Sequence, residues 1–481
     1  MNYSGFDIYE KSIHKVEING AAVEIFMAKN VPPGGGDFLI INGGNPGFIG
    51  ERLADGKIKV PLSHENAAAL RKLFPFTAPS RVLNKERSFG LGDRLGIATP
   101  GHIKLFEQYD VYPVFAQQSI RELNLTGRSY EDVLDAATFA VFREDFQRGW
   151  GADGDHLKTA QDLEYALGLG FTMITLDCSD HIKGSVTEAS AAPLDEKYKT
   201  KYLGKQFDIG EGIVLGFSET ELKTIVTIYK DAIDFAAIMF KRFLKDGTYN
   251  ADFEISIDET ATPTTPLQHY FVARELIDAG VSFATIAPRF CGEFQKGIDY
   301  IGDLAQFEKE IKAHAAIARH FKYKLSIHSG SDKFSVFPII GRECLGVFHV
   351  KTAGTNWLEA MRVIAQVDPA LYREVHRYAL TAFDEARRYY HVTTDLSKIP
   401  DTDSLSDADL PTLFENNDSR QLIHITYGLI LGKKNPDGSS SFAERLYKNW
   451  RLHEDAYAHA LGHHIGKHLD LLGVGKLANS N

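Results

Sequence analysis

Cysteine is scarce. Cys178, Cys291 and Cys344 lie far apart in 481 residues with no CxxC spacing, so no disulfide framework is expected and a reducing compartment fits. Long hydrophobic runs are missing too. No stretch approaches the roughly 18 apolar residues of a membrane span, and Met1 to Lys11 has no apolar secretory core. Both absences point to the cytoplasm and away from a membrane partner. There is also no basic excess. The formal net charge of −11 argues against general binding to nucleic acid or anionic lipid, while leaving room for a local basic pocket. Internal repeats, beyond a strand–helix alternation, and low-complexity tracts are absent as well. What remains is 44% hydrophobic and 24% charged, an ordinary balance for a soluble chain able to bury a large core. Nothing in it opposes a homo-oligomer.

Residues 1 to 87 read as an α+β extension. Residues 16–26 form a hairpin turning at Asn19-Gly20, 38–42 a short buried strand, and 65–74 a helix. Gly43-Gly-Asn-Pro-Gly is not followed by GK[ST], so it reads as a loop rather than a phosphate cradle. From Phe89 short apolar runs alternate with helical patterns. Strands are expected at 89–92, 112–116, 146–150, 171–176, 253–257, 282–287, 323–327 and 345–349. Gly170 and Gly280 end the helices that precede two of them. An insertion at about 182–217 follows the fourth strand, before an amphipathic helix running from Leu222 to Phe243. Eight such units predict an α/β fold, a (β/α)8 barrel over residues 88–366. A C-terminal helical region occupies 367–481. A doubly wound sheet is the alternative, but no GxGxxG opens the first strand–helix turn.

Active sites of such barrels sit at the carboxyl ends of the strands. Gly-Ala-Asp-Gly-Asp-His-Leu-Lys (151 to 158) stands at the third end, pairing Asp155 with His156 in a glycine-flexed turn. An imidazole can hold a metal there while the carboxylate moves a proton; an Asx-turn with a helix N-cap is the plainer reading. Histidines recur at the seventh and eighth ends. His156, His328 and His349 are therefore the expected ligands of one divalent cation, with Asp177, His181 and Glu254 in reserve. Zinc, manganese, nickel and cobalt all fit that set. Asp155 and Glu259 are the expected proton carriers, Glu259 ending the fifth strand roughly opposite Asp155 by strand count. Gln118, Arg289, Lys333 and Lys351 are the expected contacts to an anionic or hydroxyl-rich small molecule. A late helix carries His459, His463, His464 and His468 without an HExxH glutamate, and reads as a solvated or packing face rather than a zinc site.

Three stretches carry a family resemblance. They are the 151–158 motif, Ile-His-Ser-Gly-Ser-Asp-Lys-Phe (327 to 334) and Phe-His-Val-Lys-Thr-Ala-Gly-Thr-Asn-Trp (348 to 357). Together with Arg-Ser-Phe-Gly-Leu-Gly-Asp-Arg (87 to 94), they resemble the tagaturonate/fructuronate epimerase family over most of the chain. The resemblance implies a metal-dependent enzyme of hexuronate catabolism acting on a sugar acid, with relatives used on fructose and tagatose. The Asp-His pair is also similar to that of metal-dependent aldolases, which implies Asp155 as acid/base and His156 as ligand. An aldolase that releases its fragments is the second expectation, and a carbohydrate-binding protein without catalysis the third.

Overall fold

Eight strands close into a barrel, each parallel to its neighbours. They are β1 (Arg87–Leu91), β2 (Tyr112–Ser119), β3 (Gly151–Leu157), β4 (Met173–Asp177), β5 (Asp252–Ile257), β6 (Thr285–Pro288), β7 (Lys324–Ile327) and β8 (Phe348–Thr352). The computed structural model describes residues 6–29, 36–184, 186 and 190–478. Strand order follows the sequence around the ring, and β8 pairs back onto β1 with His349 beside Ser88. Helices form the outer layer, and their starts are written locally. Thr159 caps Ala160–Leu169 by accepting from the Asp162 N–H, while Asp162 accepts from the Thr159 N–H. That reciprocal pair satisfies two of the donors a helix N-terminus leaves open. The helix ends at Gly170, whose φ of 95° suits a residue without a β-carbon.

Two strands lie elsewhere than expected. Residues 146–150 form no strand. Gly149 adopts φ 87°, and Arg148 is held by the carbonyls of Phe106 and Tyr109, so the extended run begins only at Gly151. The 151–157 motif is therefore a strand and not the loop after one. At the eighth strand, Leu345 (φ 54°) and Gly346 (φ 73°) turn the chain out of the preceding helix. β8 starts three residues late, which places His349 within the strand.

The expected N-terminal extension is a six-stranded sheet, antiparallel throughout, with the hairpin 14–29 turning at Asn19 and Gly20. Phe139 and Phe142, from a helix on the barrel's outer layer, are buried in its core. The C-terminal helices build a second core around Trp357 and Trp450, whose indole N–H groups donate to Ile423 and Ala360 carbonyls. Removing either ring would cost about 3–5 kcal/mol. The insertion after β4 holds a helix (Glu196–Tyr202) and a hairpin of Gln206–Asp208 with Val214–Gly216.

Candidate active site

Side chains alternate across a strand, so every second barrel residue points inward, and most such barrels fill with Val, Ile and Leu. This one is filled with polar groups. Asp153 and Asp155 on β3, Thr175 on β4, Glu254 on β5 and Lys351 on β8 are all buried and converge. The Lys351 ammonium lies 2.6 Å from Asp153, 2.5 Å from Asp155 and 3.3 Å from Glu254, and donates to the Thr175 hydroxyl at 2.6 Å. Burial alone would raise all three carboxyls. Lys351 and His156 overcome that at Asp155, as do Lys351 and His328 at Glu254, and both are held well below the usual carboxylate range. Asp153 has Lys351 as its only ion-pair partner among the described residues and is pushed up to about 6.

β3 carries one extra residue against β4, between the pairs Gly154–Ile174 and Leu157–Leu176. His156 absorbs the bulge at φ 56°, a strained setting for a residue with a β-carbon. Gly154 makes the close packing possible, since a β-carbon there would meet Leu157, Ala166 and Ile174 at 3.0–3.1 Å. The imidazole of His156 then donates from Nδ1 to Asp155 at 2.7 Å, and its ring centre lies 4.9 Å from that of His328. His328 places Nε2 2.7 Å from Glu254 and Nδ1 3.1 Å from Asp258. Burial lowers its basicity, but Asp258 and Glu254 win and raise its pKa to about 10.

One potential ligand atom from each of His156, Asp258 and His328 lies within 4.8 Å of the others. The donor set fits a divalent cation, with two imidazoles and a carboxylate from three strand ends and coordination positions to spare. A carboxylate also contacts a ring nitrogen of each imidazole, Asp155 for one and Glu254 for the other, as ligating histidines require. Charge agrees. Three carboxylates (Asp153, Asp155, Glu254) share the single ammonium of Lys351, and Asp258 pairs only with His328 among the described residues, so the group carries an excess of negative charge that a dication would offset.

Several expected residues are placed elsewhere. His349 is not brought to the group. It sits within β8, fully buried, with Nδ1 2.9 Å from the Ser88 hydroxyl, and burial lowers its pKa to about 3. Asp258, and not His349, is the third member of the group. Gln118 accepts from Arg128 on the outer side, whereas Gln117 fills the interior against Gly90, where a β-carbon would lie 1.8 Å from its Oε1. Lys333 gives its ammonium to the carbonyls of Gln295, Ile298 and Ser331 and has no donor left for a ligand. Lys351 is likewise taken up by carboxylates below the mouth. Among the reserves, His181 stacks on Phe235, Asp177 accepts from the Ser179 N–H, and Glu254 supports His328. Glu259 is exposed at the rim, 3.4 Å from Arg121. β3 and β5 are separated only by β4, a quarter of the ring, so Glu259 does not face Asp155; β7, with His328, does.

Above the group opens a cavity of about 270 Å³, lined by Asp258, Glu259, Arg289, Lys296 and His328 from the barrel and by Tyr390 from the C-terminal region. In the late helix, His459 and His463 are exposed, while His464 and His468 pack on the β7 loop.

A family model described as tagaturonate epimerase matches residues 10–472. The chain belongs to the tagaturonate epimerase family. It is 44% identical over 484 residues to the tagaturonate/fructuronate epimerase of Thermotoga maritima, covering 97% of each chain. The glycerol-complexed crystal structure of fructuronate-tagaturonate epimerase from Cohnella laeviribosi matches with a TM-score of 0.92 and 48% identity, over 98% of this chain and 97% of that one. The native structure of the same enzyme matches equally well. The chain is thus an enzyme, an epimerase. Sequence reasoning did not single out Asp153, Thr175 or Lys296, nor Asp258 as a member of the three-donor group. Period-two alternation applied to every strand would have found the first two. No sequence signal marked Lys296.

Proposed function

We propose that this epimerase interconverts D-tagaturonate and D-fructuronate, using a divalent cation held by His156, His328 and Asp258. The observation that carries the reading is this three-donor group at the floor of the cavity, on top of a carboxylate cluster set by Lys351. The two sugar acids differ at C4 in hexulose numbering, a carbon β to the ketone, whose proton the carbonyl does not acidify. A retro-aldol step inverts it. Asp155, kept ionised by Lys351 and His156, takes the proton of the C4 hydroxyl. The C3–C4 bond breaks, its electron pair passes to the ketone oxygen, and an enediolate and a three-carbon aldehyde result. The aldehyde half turns over, the bond re-forms on its other face, and the proton returns to oxygen. Where the re-formed C4 oxygen faces Glu259, exposed on the cavity rim, that carboxyl gives the proton instead, and the two carboxyls re-equilibrate with solvent between turnovers, Asp155 losing a proton and Glu259 regaining one. A divalent cation supplies Lewis-acid stabilisation of the charge that develops on the ketone oxygen. Neutral ketohexoses, fructose and tagatose, present the same pair of carbons and are candidate secondary substrates.

The test is metal analysis of the purified protein together with product analysis on tagaturonate. Stoichiometric divalent metal and conversion to fructuronate are expected. Free three-carbon products in place of fructuronate would make the protein an aldolase. Deuterated water separates the schemes, since cleavage leaves C4 unlabelled and direct deprotonation labels it in step with turnover.

A further inference from the structure

Two cations that line the cavity, Arg289 and Lys296, have no carboxylate partner among the described residues. Arg121 pairs with Glu259 at 3.4 Å and His391 with Glu293 at 3.7 Å across the rim. Arg289 is tied to the Thr260 carbonyl, on the loop beyond Glu259. Lys296 is different. Its ammonium donates to the Ser329 hydroxyl at 3.0 Å and has no carboxylate partner among the described residues. Nearby Arg94 and Glu122 cancel as a buried pair at 2.8 Å. Ser329 directly follows His328, so the ammonium stands beside the donor group, and Arg289 also lines the cavity.

Its setting is rigid. The loop after β6 is pinned from the barrel side by Lys333, which donates to Gln295 and Ile298 carbonyls. From the C-terminal side, Arg420 donates to the Gly297 carbonyl at 2.7 Å and Gln421 to the Lys296 carbonyl at 3.2 Å. The lysine expected to bind the ligand thus fixes the loop that presents another lysine. A half-buried ammonium without a counter-ion is costly, and desolvation lowers the basicity of Lys296. An anionic ligand would remove that cost and gain a charge-assisted hydrogen bond.

We propose that Lys296 binds the carboxylate of the sugar acid and is the residue that makes this site prefer a keto-hexuronate to a neutral ketohexose. This rests on the reading of the cavity as the sugar site. In the retro-aldol scheme the carboxylate rides on the three-carbon aldehyde half, so Lys296 keeps that half tethered while it turns over.

The experiment compares competitive inhibition by gluconate, an anionic six-carbon acid, with that by glucitol, its neutral counterpart. The wild-type enzyme is expected to bind gluconate at least about 10-fold more tightly. Lys296→Gln should abolish that preference, raise KM for the uronate more than it lowers kcat, and leave metal content unchanged. Lys296→Arg should restore part of the preference, and Arg289→Gln should change it less than Lys296→Gln. Absence of an anion preference in the wild type overturns the proposal without any variant. So does a preference that survives Lys296→Gln or vanishes instead in Arg289→Gln. Failure of the wild type to epimerise tagaturonate would count against the proposed reaction alone, because the inhibitor comparison does not depend on turnover.

Discussion

Two groups of the same composition, two histidines and one aspartate, occur in this molecule, and each gathers its donor atoms within 4.8 Å. One is His156, Asp258 and His328 at the barrel mouth. The other is Asp332, His464 and His468, where the last helix meets the β7 loop. They differ in what occupies their lone pairs. His468 Nε2 accepts the Asp332 backbone N–H at 3.0 Å and its Nδ1 donates to the His464 carbonyl at 2.8 Å. Both ring nitrogens are spent, and burial pushes its pKa down to about 3. Asp332 already has a cation, Arg420 at 2.8 Å, with His464 at 2.9 Å. At the mouth no arginine contacts Asp258 among the described residues, and its neighbour His328 is a ring that can give up a proton. The second group is a latch between barrel and C-terminal helices. Proximity alone does not distinguish a ligand set from a latch; the partners of the ring nitrogens do, carboxylates at His156 and His328 and backbone groups at His468.

The largest effect should come from the mouth. His156→Ala and His328→Ala are each expected to lose bound divalent metal and more than the roughly 10²-fold in activity that attends loss of a ligand's supporting partner. His468→Ala should keep the metal. Metal retained in both mouth variants, by elemental analysis, would sink the site.

Next is the latch. Asp332→Ala leaves Arg420 buried and unpaired, so it should cost about 3–5 kcal/mol of stability in denaturant unfolding without changing metal stoichiometry in the folded protein. Metal loss there would erase the distinction between the two groups. The proton carriers follow. Asp155→Asn and Glu259→Gln should keep the metal and lower kcat by about 10²-fold; a variant at the wild-type rate leaves the mechanism.

The smallest effect is on pH. His328 is raised to about 10, so its ring is protonated at neutral pH, and His156 is raised too, so a cation would compete with protons for both rings. Metal affinity should therefore rise with pH, which isothermal titration at several pH values would show. The latch depends on pH in the same direction but at the acid end of the range. Burial favours the neutral form of Asp332, but Arg420 and His464 hold its carboxyl well below the unfolded value of about 3.9. Its contribution to stability is complete above that value and is lost as pH falls below it. A pH-independent metal affinity would mean that the rings at the mouth are as spent as those of the latch.

The barrel was legible in the chain because its signals are local. Strand–helix alternation, glycine at helix ends and four-residue capping patterns such as Thr159–Asp162 each act over a few residues. So was the Asp155–His156 pair, being adjacent. The eighth strand was misplaced by three residues because Leu345 turns the chain with a positive φ that no propensity announces in a leucine, and that shift took His349 from the mouth into the strand. Lys333 and Lys351 looked like free cations because their partners lie on other elements, backbone carbonyls of the β6 loop for one and carboxylates of β3 and β5 for the other. From its sequence alone, this chain is a (β/α)8 protein with acid and imidazole groups at its strand ends. Which of those groups meet, which are neutralised and which cation remains for a ligand depend on contacts between residues far apart in the chain, such as Lys351 and Thr175, separated by 176 positions. Only closure of the barrel brings such groups within hydrogen-bonding distance, and the charge on each is set by the partners it meets there.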